Sequence, residues 1–88
     1  MDKKEKWQDK LESINEGVTF VIYNKRKFSL SKKLFNKGKS MKVFAEELGG
    51  NDFFSANYYL TQKGGVLKPC EMPSEKVIDF LTNFKLIN

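Results

Sequence analysis

The sequence has no histidine and a single cysteine, Cys70. One cysteine excludes an intrachain disulfide framework, and without histidine no ordinary zinc site has enough ligands. The same lack removes Ser-His-Asp and Cys-His catalysis. No apolar run approaches the ~20 residues of a membrane span, and residues 1–10 are too charged for a signal peptide. What is present is 88 residues, 40% hydrophobic, 14% aromatic and 31% charged. That composition supports one packed core and leaves no room for two. The expectation is a single domain over residues 1–88: small, soluble and cytoplasmic, with no metal, cofactor or membrane partner.

Charge is unevenly spread. The net charge is +5, yet residues 17–45 hold Lys25, Arg26, Lys27, Lys32, Lys33, Lys37, Lys39 and Lys42 with no acid. The rest of the chain carries all eleven acids against the other eight cations, so it sums to −3. Such a block is either a solvated face or a surface for polyanions, where phosphate contacts supply affinity and salt weakens it. Which one applies depends on whether the cations converge on one side.

Residues 2–15 read as a helix, with Asp2 and Glu5 as its capping signal and Trp7, Leu11 and Ile14 as a narrow apolar stripe. Gly17 is placed to end it. The period then changes to two. Residues 18–23 form a β-branched and aromatic run, and Phe28, Leu30, Met41, Val43, Phe54, Ala56, Tyr58 and Leu60 recur at strand spacing. Turn signals lie at Asn24-Lys25, Asn36-Lys37-Gly38-Lys39, Gly49-Gly50-Asn51-Asp52 and Gly64-Gly65. Pro73 opens a last helix over residues 74–86, with Val77, Phe80, Leu81 and Phe84 inward. The reading is α+β: an antiparallel meander of four or five strands over residues 18–68, between an N-terminal and a C-terminal helix.

Two short helices cover one face of such a sheet. Strand parity assigns the other face Lys27, Ser29, Ser31, Lys33, Lys42, Phe44, Phe53, Ser55, Asn57 and Tyr59. Cations with rings are the equipment of surfaces that hold single strands: cations follow phosphates and rings stack on bases. No basic recognition helix for duplex DNA is visible. The candidate binding residues are Lys25, Arg26, Lys27, Lys33 and Lys42 for phosphate, with Phe44, Phe53 and Tyr59 as stacking platforms. The ligand would be single-stranded DNA or RNA. Burial of the same rings in a homodimer is the competing account, and the two are compatible. A protein-interaction module is a third.

Cys70 sits in Lys68-Pro69-Cys70-Glu71-Met72-Pro73, just ahead of the last helix. A thiol near a helix N-terminus and a lysine can be a reactive nucleophile. It can also be an inert thiol packed under the helix.

Three segments, Gly38-Lys39-Ser40, Phe44-Ala45-Glu46-Glu47-Leu48-Gly49-Gly50-Asn51-Asp52 and Lys68-Pro69-Cys70-Glu71-Met72-Pro73, resemble a family of roughly eighty-residue bacterial proteins. Some members of that family are labelled peptide methionine sulfoxide reductase. The resemblance implies, as an alternative, a Cys70-dependent thiol or methionine sulfoxide redox enzyme. A second similarity is architectural. The meander followed by a helix, with Asn24-Lys25-Arg26-Lys27-Phe28 leading to a Lys37-Gly38 turn, resembles the Pur and Whirly-type single-strand-binding units. That resemblance implies a dimer and a nucleic-acid ligand.

Overall fold

The computed structural model describes residues 5–87. In chain order it contains α1 (Lys6–Ser13), β1 (Gly17–Tyr23), β2 (Arg26–Phe35), a 3-10 turn (Asn36–Gly38), β3 (Ser40–Glu47), β4 (Phe53–Thr61), β5 (Gly64–Pro69), α2 (Ser74–Asn83) and β6 (Lys85–Leu86). The α+β architecture is as expected, but the antiparallel sheet has six strands, in the order β5-β4-β3-β2-β1-β6. The sixth comes from the C-terminal end of the expected last helix. That helix stops at Asn83, the extended Phe84 buries its ring, and Lys85 and Leu86 pair with Ile22 and Val21. The pairing satisfies backbone groups that the outer edge of β1 would otherwise leave open.

The first helix is also shorter than the periodicity implies. Its N-cap is Glu5, whose backbone N–H donates to the Gln8 side-chain oxygen at 2.8 Å, one half of a capping box. The cap expected at Asp2 lies outside the described residues. At the other end the helix closes on an extended Ile14, and Gly17 opens β1 at φ 116° instead of capping α1. Pro73 is the N-cap of α2, not its first helical residue.

Both helices lie on one side of the sheet. Trp7, Leu11 and Ile14 of the first stripe, and Val77, Phe80, Leu81 and Phe84 of the second, join one core with the inward side chains of β1 to β4. Phe80 is its hub, stacked on Phe54 at 4.4 Å and meeting Tyr23 at 5.1 Å and Phe28 at 5.5 Å between ring centroids. Each such side chain contributes about 1.5–3 kcal/mol on burial, which is what holds helices too short to persist alone. Gly65 marks a close approach: a Cβ there would run into the Tyr58 ring. Leu34 and Leu60 have inward parity but stay exposed at strand ends, beyond the reach of the helices.

Two lysines close the helix C-termini. Lys32, 6% exposed, donates from Nζ to the carbonyls of Leu11 at 2.9 Å and Ile14 at 2.7 Å. Lys10 donates to the Thr82 and Phe84 carbonyls and lies 4.0 Å over the Phe84 ring. Each cation meets the negative end of a helix dipole. Burial lowers both ammonium pKa values. Glu12 and Glu16 oppose that shift at Lys32, while Lys6 and Lys85 add to it at Lys10.

The Tyr23 hydroxyl donates to Asp79 of α2. Burial and then that carboxylate push its pKa up from 10.0 to about 12. Between those values the native state keeps a proton that the unfolded chain releases. The associated stability is therefore complete below pH 10 and is lost as pH rises toward 12. The stability advantage of the wild type over Tyr23→Phe is expected to shrink across that window in denaturant titrations; a pH-independent difference would contradict this.

The β1–β2 hairpin turns on Asn24 and Lys25, both at positive φ (52° and 64°), the backbone of a type I′ turn. Asn tolerates this conformation, but lysine strains in it. Lys25→Gly is expected to raise the unfolding free energy by about 0.5–1 kcal/mol, read from the urea midpoint.

Candidate functional site

The uncovered face of the sheet is built from cross-strand rows fixed by register. Nearest the β2–β3 turn, Phe35, Ser40, Tyr59 and Val66 stand opposite one another on four successive strands. The next row is Lys33, Lys42, Asn57 and Lys68. Then come Val18, Ser31, Phe44 and Ser55, and after them Phe20, Ser29, Glu46 and Phe53. Rows on one face lie about 7 Å apart, and neighbouring strands about 5 Å.

Parity is thus as the alternation implies. Lys27, Ser29, Ser31, Lys33, Lys42, Phe44, Phe53, Ser55, Asn57 and Tyr59 all project away from the helices. Phe44, Phe53 and Tyr59 are 36%, 44% and 38% exposed, and Phe44 stacks on Phe53 at 6.1 Å with planes 28° apart. Lys33 and Lys42 stand directly opposite each other, and Lys68 is two strands further on. None of the three pairs with a carboxylate among the described residues. Like charges set opposite on a sheet are destabilising, and here no carboxylate among the described residues offsets them.

Not every expected cation joins it. Arg26 pairs across the hairpin with Tyr23, on the helix side. There its guanidinium binds Glu47 at 3.1 Å and Asp52 at 3.3 Å, and Lys76 of α2 adds a further bridge to Asp52 at 3.2 Å. Burial pushes the Asp52 carboxyl up, but Lys76, the Phe53 amide and Arg26 outweigh it, so its pKa lies below the ordinary value. Arg26 therefore joins β2 to Glu47 of β3 and to Asp52, and Asp52 carries the tie to α2. Lys27 is on the open face opposite Ile22, about 20 Å along β2 from Lys33. Lys25 is in the hairpin turn beyond it. The compact cationic group is Lys33, Lys42 and Lys68.

Lys68 was not among the sequence candidates, because the short last strand gave no clear alternation. Phe35 and Val66, 44% and 40% exposed, complete the aromatic and apolar row beside the lysines. A groove of about 600 Å3 opens at this end, lined by Asn36, Lys39, Ser40, Tyr59, Leu60, Thr61, Val66 and Lys68. At the other end β1 contributes Val18, Phe20 and Ile22 outward, which with Ile87 make an exposed apolar strip.

Cys70 is half-buried at the end of β5. Its amide donates to Ser55, and its sulfur lies 3.9 Å from the Asn57 carboxamide nitrogen. The thiol thus meets a residue of the open face, not the underside of α2. Among the described residues no three His, Cys, Asp or Glu side chains cluster to hold a metal ion, and no helix is long and apolar enough to cross a membrane. No protein-family model matches the chain, and no curated protein or solved structure matches it.

Proposed function

We propose that the protein is a non-enzymatic module that binds single-stranded nucleic acid on the open face of its sheet. The observation that carries this is the row Lys33, Lys42, Asn57 and Lys68, unneutralised and flanked by Tyr59 and Phe35 on one side and Phe44 on the other. Three inter-strand steps make the row about 14 Å long, so consecutive phosphates of one strand can lie along it. Bases leaving that line reach rings one row away on either side, where each stack contributes about 1–3 kcal/mol. A Cys70-centred redox reaction has less to support it, since the polar group at the sulfur is a carboxamide, which does not take up the thiol proton. Titration of a labelled single-stranded oligonucleotide by fluorescence anisotropy at two salt concentrations tests the reading. Binding that weakens with salt is expected; no binding at low salt would refute it.

The apolar strip at β1 supports a homodimer that leaves the lysines free. Two copies stacked over the lysine row would set cation on cation, whereas Val18, Phe20 and Ile87 offer an apolar contact at the far end of the same face, with Ile22 beside them between Lys27 and Lys85. Phe20 is 52% exposed, so Phe20→Asp is expected to convert a dimer to a monomer in sedimentation equilibrium. A wild type that sediments as a monomer would remove the dimer.

A further inference from the structure

The groove at the β2–β3 turn adjoins the lysine row through Lys68, which belongs to both. We propose that it is a binding site for one nucleotide unit, the last of the bound strand; this rests on the single-strand reading above. Its volume of about 600 Å3 falls within the ~300–1,000 Å3 typical of small-ligand sites. It combines the parts that a base with its phosphate requires. Tyr59 supplies an exposed ring, and Val66 opposite it an apolar wall. Lys39 and Lys68 bring cations from the turn and from β5, and neither pairs with a carboxylate among the described residues.

Polar groups are also positioned. The Ser40 hydroxyl accepts the Asn36 amide at 3.0 Å. Ser40 therefore keeps its own proton to donate, and the Asn36 carbonyl oxygen remains an acceptor, a pair suited to a base edge. The Lys39 carbonyl is held by the Leu60 amide at 2.7 Å, which fixes the turn against β4. A strand running along the lysine row toward β5 reaches Lys68 and places its next base against Tyr59. The surface is thus a track with an end pocket, not a uniform strip.

The test is an NMR titration of the full chain with a nucleoside 5′-monophosphate, the matching nucleoside and inorganic phosphate, run beside oligonucleotide anisotropy for the wild type and Lys39→Gln. Lys39 is exposed and outside the core, so the variant keeps the fold. The monophosphate is expected to shift Ser40, Tyr59, Val66 and Lys68 signals more than either fragment does, and Lys39→Gln to weaken it about tenfold. Oligonucleotide binding with no monophosphate shifts in the groove, and unaltered in Lys39→Gln, would overturn the end pocket while the single-strand reading stands. No oligonucleotide binding would refute that reading; groove shifts with the monophosphate would then still support a nucleotide site, and their absence would overturn both.

Discussion

Replacing Lys33, Lys42 and Lys68 together by glutamine is expected to weaken single-stranded oligonucleotide binding about 100-fold at 0.1 M salt and to leave the fold at least as stable. The affinity loss follows from counterion release. Each phosphate contact on a single strand contributes about 0.7 to the slope of log K against log salt, so three lost contacts remove about 2 from it. Relative to a 1 M reference, that is about two decades at 0.1 M. The stability change has the opposite sign because Lys33 and Lys42 are cross-strand partners. Relieving like charges set opposite each other returns a few tenths of a kcal/mol. A variant that binds worse and unfolds later separates a ligand surface from a structural one. A variant with unchanged affinity, or one that unfolds, would show that the row has another purpose.

Lys32 gives the converse result, although it neighbours Lys33 in sequence. Lys32→Met keeps the aliphatic stem but removes the ammonium that bonds the Leu11 and Ile14 carbonyls at the end of α1. Hydrogen bonds to charged groups contribute about 1.5–3 kcal/mol each, partly offset here by the desolvation of the buried ammonium. A net loss of about 2–3 kcal/mol is expected. For a domain of this size that lowers the melting temperature by roughly 10–20 °C. The oligonucleotide salt slope should not change, since Lys32 projects to the helix side. A shift of only a few degrees would mean that the Lys32 bonds add little to what Trp7, Leu11, Ile14 and Lys10 already supply.

The contrast between these neighbouring lysines shows what the sequence carried and where it stopped. Period-two alternation in β2, β3 and β4 was legible because inward Phe28, Leu30, Met41, Val43 and Phe54 alternate with outward lysines, serines and rings. Strand β1 was readable as a strand but not by face, since Val18, Phe20 and Ile22 are as apolar as the inward Val21 and Tyr23. Arg26 and Lys27 sit together in sequence, yet successive strand residues project to opposite faces, and two acids hold Arg26 on the helix side. Lys32 counted as one cation of a basic block because its partners, the end carbonyls of α1, are visible only once the helix is docked. Strand β6 hid at the end of a helical pattern, where pairing with β1 wins over three further helical residues. Lys68 became a site residue only through the register of β5 against Asn57.

The account depends on the two faces of the sheet having different roles, and phenylalanine rings lie on both. Aromatic side-chain NMR of the chain during addition of a single-stranded oligonucleotide reads them separately. Signals of Phe44, Phe53 and Tyr59 should move with saturation while those of the buried Phe28, Phe54 and Phe80 stay in place. Movement confined to the core rings, or none at low salt with excess oligonucleotide, would contradict the assignment of the open face as the binding surface.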